Sequence, residues 1–181
     1  MSTAARHPPA KARLFGLILA AAIFGIDQWL KWLVRVQFKL DERGVIDLLP
    51  FFDLRWTANY GISLGLLTAE SMEMRWLLVA LTSGIAVIVF IWMLREKRLG
   101  DIIPLGLVLG GALGNIRDRY IFGYVIDYAD LHFGNFRPFL IFNLADAAIT
   151  IGVLIILARS FLSREKLPET PNDTAKPATE S

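Results

Sequence analysis

The sequence predicts an all-α membrane protein with four transmembrane helices, a small extramembrane β-sheet and a short interfacial helix. Two observations carry this prediction. Hydrophobic residues make up 55% of the 181 residues and the mean hydropathy is +0.49, which is too apolar for a soluble domain of this size. The apolar residues also gather into four long runs, and a membrane-spanning helix needs about 20 residues.

Composition excludes several kinds of chemistry. The chain has no cysteine, so thiol nucleophiles, disulfides and cysteine-ligated metals are absent. The net charge of +2 and the pI of about 9.0 could suit a nucleic-acid-binding protein, but the basic residues are scattered at loop ends and form no continuous stripe. We therefore predict no nucleic-acid partner and assign the basic residues to the flanks of membrane spans.

The first span is predicted over residues 14–34. Residues 1–13 carry bases and no acid, so they resemble the start of a signal peptide, but the apolar run continues past Asp27 without a convincing cleavage site. We therefore expect a retained span. Asp27 and Lys31 are four residues apart, share a helical face and can form an ion pair inside the membrane.

Residues 35–71 are mixed in polarity. Within them, VIDLLPFFDLRWTAN is rich in branched and aromatic residues and is broken by Pro50, which favours short strands over a helix. The next stretch, GISLGLLTAE, is amphipathic and too short to span, so it is predicted to be the interfacial helix.

The other spans are predicted over residues 74–94, 102–116 and 139–162, and the third can extend to Phe122. The second span is apolar throughout and is predicted to have a structural role. Residues 163–181 are rich in Pro, Thr, Glu and Lys, have too little apolar surface to fold, and are predicted to be a disordered tail. The chain thus contains one membrane domain, over residues 14–162.

The third span carries three glycines at intervals of four residues, namely Gly106, Gly110 and Gly114. Such a stripe lets a neighbouring helix approach closely, and ordinary helix packing explains it. Asn115 and Arg119 are also four apart, and packing does not explain that pair. Ionisable groups inside spans are expensive and usually functional.

Polar residues that are distant in the sequence fall in one layer of the membrane. We place both termini in the cytoplasm, because the first segment is purely basic while the opposite loops balance bases with acids. Asp27 and Asn115 then lie about 20 Å above the inner end of their spans, and Asp146 lies about 10 Å below the outer end of its span. Asn59 and Asp127, in loops on the outer side, can reach this layer.

Asp127 and Asp146 are the candidates for catalysis. Two aspartates in a partly desolvated site do not both ionise easily, so one holds a proton while the other remains a base. Such a pair can activate water against a carbonyl, which is the chemistry of an aspartic peptidase and needs neither a metal nor another cofactor.

The same residues allow other interpretations. Asp27, Lys31 and Asp146 could form the relay of a proton-coupled transporter, although the inner halves of the spans hold few polar groups. The interpretation as a purely structural helix bundle does not explain why Asp27, Asn115 and Asp146 lie at the same depth in the membrane. Asp130 and His132 could form half of a metal site, but the other histidine lies in the terminal segment. Asp118 could simply pair with a neighbouring arginine.

Five motifs, in order and with fitting spacing, resemble those of lipoprotein signal peptidase, the bacterial signal peptidase II family of membrane aspartic peptidases. They are IDQWLK, WTANYG, GGALGNIRDR, GYVIDY and FNLADAAIT. The resemblance covers residues 14–162 and implies four membrane helices with an extracytoplasmic β-cradle and an interfacial helix. Two departures stand out: Tyr60 to Leu64 replace the usual Thr-Gly-Ala-Ala-Phe, and Arg117 adds a charge beside Asp118.

The resemblance also implies roles for individual residues. Asp127 and Asp146 match the catalytic dyad, and Asp118 matches a motif aspartate outside it. The positions that match supporting or substrate-contacting residues are Asp27, Lys31, Asn59, Gly111, Asn115, Arg119 and Asn143.

The implied substrate is a prolipoprotein whose lipobox cysteine already carries diacylglycerol, cut just before that cysteine. The implied location is the bacterial inner membrane, with the site near the outer face. We expect membrane lipids as further partners, and a monomer.

Overall fold

Four long helices dominate the computed structural model, which describes residues 9–61 and 72–164. Each is long and apolar enough to cross a membrane, so the prediction of four spans is confirmed. The helices are α1 (Pro9–Trp32), α3 (Met72–Arg95), α4 (Leu99–Phe122) and α5 (Leu144–Arg164), with a π-helical turn (Leu33–Gln37) that extends α1 and a one-turn helix α2 (Leu40–Arg43) after it.

Two helices start at residues other than those predicted for their spans. Helix α1 already includes Pro9, ahead of the span predicted from residue 14, and proline is compatible with the first turn of a helix. Helix α5 begins at Leu144 rather than at residue 139. The residues before it are extended, because Phe142 pairs with Ala129 of the sheet, and the Asn143 side chain accepts a hydrogen bond from the Asp146 amide (2.9 Å) as a helix cap.

The extramembrane sheet has three antiparallel strands in the order β1-β2-β3: β1 (Val45–Leu49), β2 (Phe52–Asn59) and β3 (Val125–Leu131). The predicted pair of strands on either side of Pro50 is confirmed. Strand β3 was not predicted, because Asp127, which lies in it, was placed in a loop. It joins the sheet directly to the end of α4.

Two other predictions fall largely outside the residues that the structure describes. The interfacial helix was predicted over residues 61–70, of which only Gly61 is described, and the tail over residues 163–181 is described only to Arg164.

Helix α4 lies at the centre of the bundle and packs against α1, α3 and α5. Its glycines allow this approach. A Cβ atom added at Gly110 would lie 2.5 Å from the Ala20 carbonyl oxygen of α1, and one added at Gly111 would lie 2.5 Å from the Ala145 carbonyl oxygen of α5. The predicted role of the glycine stripe is thus seen in the packing, and the polar residues that follow it on α4 are carried into the centre of the bundle.

Candidate active site

A buried lysine organises the polar layer at the sheet end of the bundle. Lys31 Nζ lies 2.9 Å from Asp27 Oδ2 and 2.8 Å from Asp118 Oδ2, and it donates a hydrogen bond to Asn115 Oδ1 (3.1 Å). The lysine side chain is 2% exposed and both carboxylates are fully buried. The predicted pair of Asp27 with Lys31 is present, and it is extended to a second carboxylate.

The partner of Asp118 differs from the one expected. From the sequence, an adjacent arginine was the expected ion-pair partner of Asp118, but residues next to each other on a helix point in different directions. Asp118 instead pairs with Lys31 across the bundle and accepts a hydrogen bond from the Ile126 amide (3.3 Å). Asp27 accepts one from the Ala145 amide (3.1 Å). Together these contacts tie α1, α4, β3 and α5 to one another.

The two candidate catalytic aspartates lie on either side of one asparagine. Asn143 donates from its side-chain amide to Asp127 Oδ1 (2.6 Å) and from its backbone amide to Asp146 Oδ2 (3.2 Å). Asp127 is on strand β3, rather than in a loop as predicted, and Asp146 is in the first turn of α5. Residues distant in the sequence are therefore brought to one place.

Two further amides hold the carboxylates from the outer sides. Asn59 on β2 donates to Asp127 Oδ2 (2.9 Å), and Asn115 on α4 donates to Asp146 Oδ1 (2.8 Å). Since Asn115 also accepts from Lys31, the orientation of Asp146 depends on the buried ion cluster. Each carboxylate is thus fixed by two amide donors from different elements, which is how a reactive pair is held in a defined geometry.

Burial, and after it the negative charge of Asp146, raise the pKa of Asp127 to about 7, even though hydrogen bonds from Asn59 and Asn143 oppose the shift. Asp127 is only 2% exposed. Near neutral pH Asp127 therefore holds a proton for much of the time.

Arg119 approaches the same carboxylates from α4. It interacts electrostatically with Asp146, Asp127 and Asp118, and its buried Nε makes no hydrogen bond to any described residue. Gly111, by contrast, serves the packing of α4 against α5. Arg119 thus has a buried N–H donor without a partner among the described residues, while Gly111 lies in the contact between α4 and α5.

Two polar residues at the site were not singled out from the sequence. Gln28 Nε2 donates to Asp27 Oδ2 (3.0 Å), Asp118 Oδ1 (3.1 Å) and the Gly114 carbonyl (3.2 Å). The Tyr128 hydroxyl accepts from the Leu144 amide at the start of α5 (3.3 Å). Gln28 lies in the motif IDQWLK and Tyr128 lies in GYVIDY. Membership of these motifs was the signal by which the sequence could have identified them.

The residues of the alternative metal site have other partners. Asp130 is fully buried between Arg55 (2.9 Å) and Arg137 (3.1 Å). His132 Nε2 is 2.9 Å from Asp53 Oδ2, within ion-pair distance although not in hydrogen-bonding geometry. Over residues 9–61 and 72–164, no three His, Asp or Glu side chains gather as metal ligands would.

The fold and the site define a multi-pass membrane protein in which a buried aspartate, Asp127, lies near a half-buried one, Asp146. The sequence model of the signal peptidase (SPase) II family matches residues 19–162. The chain therefore belongs to the signal peptidase II family, as its motifs indicated.

Relatives support the same assignment along most of the chain. The lipoprotein signal peptidase of Sphingopyxis alaskensis is 52% identical over 166 residues, which cover 92% of this chain and 94% of that protein. The lipoprotein signal peptidase of Rhizorhabdus wittichii is 53% identical over 159 residues, which cover 88% of this chain and 91% of that protein.

Two solved structures share the fold. A bacterial membrane enzyme structure obtained by the in meso method at 2.3 Å resolution has a TM-score of 0.67 and 25% sequence identity, and the match covers 91% of this chain and 94% of that one. Another, at 1.9 Å resolution, has a TM-score of 0.65 and 26% identity, covering 81% and 92%. The family and the four apolar helices make the chain a multi-pass protease of the bacterial inner membrane.

Proposed function

We propose that the chain is an aspartic endopeptidase that removes the signal peptide from diacylglyceryl-modified prolipoproteins, cutting before the lipidated cysteine. Asp127 and Asp146 form the catalytic pair. The observation that carries this proposal is the bridging of both carboxylates by Asn143, at 2.6 Å and 3.2 Å, inside a protein of the signal peptidase II family. The chemistry requires neither a metal nor another cofactor.

In the proposed reaction, Asp127 begins protonated and Asp146 begins ionised. Asp146 takes a proton from a water molecule, whose oxygen attacks the scissile carbonyl carbon, while Asp127 donates its proton to the carbonyl oxygen. The tetrahedral intermediate collapses when the C–N bond breaks, Asp146 returns its proton to the leaving amine, and Asp127 recovers its own from the intermediate. The raised pKa of Asp127, caused by burial and by the neighbouring charge, suits it to the acid role.

The remaining predicted site residues support this pair. Asn59, Asn115 and Asn143 position the carboxylates, and the cluster of Lys31 with Asp27 and Asp118 positions Asn115. Arg119, whose Nε lacks a partner among the described residues, is suited to donate to a backbone carbonyl of the bound substrate.

One-sided burial of polar groups supports hydrolysis over a proton relay. Within residues 9–61 and 72–164, the buried polar side chains all lie in the sheet or at the sheet end of the helices: Asp27, Lys31, Asp53, Asn115, Asp118, Asp127, Asp130 and Asn143. A relay needs such groups along the whole span. We place this end at the outer face and both termini in the cytoplasm.

The location of the site suits a lipidated substrate. Acyl chains in the outer leaflet would hold the scissile bond at the depth of the aspartates, and each buried methylene contributes about 0.8 kcal/mol to membrane binding. Lipid anchoring thus supplies affinity while the amides and Arg119 supply orientation. We propose that the protein acts as a monomer.

Cleavage of a diacylglyceryl-modified prolipoprotein by Asp127→Asn and Asp146→Asn variants tests the proposal. Both substitutions keep the shape of the side chain and remove its acid or base function. Asp47→Asn is the matched control, because Asp47 is exposed on β1. We expect no cleavage by either dyad variant and full cleavage by the control. Normal turnover by either dyad variant, with the fold retained, would refute the proposal.

A further inference from the structure

Arg117, the charge that departs from the family motif, faces a small cavity away from the aspartate pair. The cavity has a volume of ≈ 130 Å³ and lies between the end of α1, its π-helical turn, the end of α4 and the start of β3. Arg35, Arg117, Gln28, Trp32 and Phe122 are among the residues that line it. The cavity borders the buried ion cluster, because Lys31 and Gln28 belong to both, but neither Asp127 nor Asp146 lines it.

The cavity is positively charged. Lys31 at its base is neutralised by two carboxylates, but in the described parts of the chain neither Arg35 nor Arg117 forms an ion pair. Arg35 lies over the Phe122 ring, 4.5 Å from its centroid, and Arg117 donates a hydrogen bond to Gln28 Oε1. Both guanidinium groups are thus held in place, and no carboxylate lines the cavity.

Gln28 fixes the direction of Arg117. Its amide nitrogen is committed to Asp27, Asp118 and the Gly114 carbonyl, so only its oxygen is directed at the arginine. A guanidinium has five N–H donors, so this single bond leaves others to face the cavity. The arginine is therefore anchored and still able to bind an anion.

The position of the cavity indicates which anion meets it. The π-helical turn that ends the first span and the end of α4 reach the same face of the membrane. Trp32, which is 47% exposed, stands at this boundary, where tryptophans contact lipid headgroups. Phospholipid phosphates occupy this depth, and basic pockets between membrane helices bind such headgroups.

We propose that Arg35 and Arg117 bind the phosphate of an anionic phospholipid, whose glycerol and first acyl carbons lie against Trp32. Arginine forms paired, charge-assisted hydrogen bonds to phosphate oxygens. An anionic lipid fits better than a zwitterionic one, because the cavity has no carboxylate to receive a choline or ethanolamine group. The site is distinct from the one that takes the peptide substrate.

Native mass spectrometry of the purified full-length protein tests this proposal. The protein is equilibrated with phosphatidylglycerol or with phosphatidylcholine of the same acyl chains, and retained lipid is counted. We expect preferential retention of phosphatidylglycerol, reduced about tenfold in Arg117→Gln and in Arg35→Gln, since a hydrogen bond to a charged group has about that effect on affinity. Arg43→Gln, an exposed base on α2 outside the cavity, is the matched control and keeps the preference.

Several results would overturn the proposal. If Arg117→Gln retains phosphatidylglycerol with the same preference as the wild type, this arginine does not bind the lipid. If Arg43→Gln loses as much phosphatidylglycerol as Arg117→Gln, the lipid is attracted by general positive charge rather than bound at a site. Displacement of the lipid by inorganic phosphate at equal concentration shows a site for the free ion instead. If Arg35→Gln fails to unfold cooperatively, Arg117→Gln decides alone, because that side chain is exposed and its loss leaves the core intact.

Discussion

Replacement of Lys31 by methionine gives a sharp energetic test of the buried ion cluster. Lys31 is the only cation within ion-pair distance of Asp27 and of Asp118 among the described residues, and both carboxylates are fully buried. Breaking a buried ion pair by removing one partner costs about 3–5 kcal/mol. For a chain of this size that loss lowers Tm by roughly 6–20 °C.

Thermal unfolding in detergent measures this loss, and two further variants make it specific. Lys39→Met removes a lysine whose pair with Glu42 is 3.8 Å long and exposed, so Tm should hardly change. Adding Asp27→Asn and Asp118→Asn to Lys31→Met removes the unpaired charges, and should restore at least half of the lost Tm. If Lys31→Met alone unfolds within about 2 °C of the wild type, the cluster does not stabilise the protein and the reasoning is refuted.

Three further predictions follow from the site and the packing. The rate of cleavage should fall as pH rises through about 7, because Asp127 then loses the proton that the reaction needs. Asn59→Ala should move this fall to higher pH, because it removes a hydrogen bond that lowers the pKa of Asp127. A pH profile of kcat/KM measures both effects. Asn143→Ala should lower kcat roughly 100-fold with little change in KM, since both carboxylates lose their shared support. Gly110→Ala should lower Tm, because its Cβ would lie 2.5 Å from the Ala20 carbonyl oxygen, whereas Gly84→Ala, with nothing within 4 Å, should not.

The sequence predicts those features that depend on a local pattern of residues. The four spans follow from long apolar runs, and the pairing of Asp27 with Lys31 follows from a spacing of four residues on a helix. The strands around Pro50 follow from their branched and aromatic residues. In each case the signal is local, so it survives without knowledge of the tertiary structure.

The missed features depend on contacts between distant segments. Strand β3 was not recognised because its acids, Asp127 and Asp130, look solvated in the sequence, while in the fold both are buried and hydrogen-bonded. The pairing of Asp118 with Lys31 joins residues on different helices. The later start of α5 depends on Phe142 pairing with Ala129. None of these has a local signature.

The position of water between Asp127 and Asp146 tests the central claim most directly. An experimental structure at a resolution that shows ordered water measures it. We predict one water molecule within hydrogen-bonding distance of both carboxylates, about 2.7 Å from an oxygen of each. Carboxylates held too far apart for a single water to contact both, with and without a bound lipopeptide, would contradict the account.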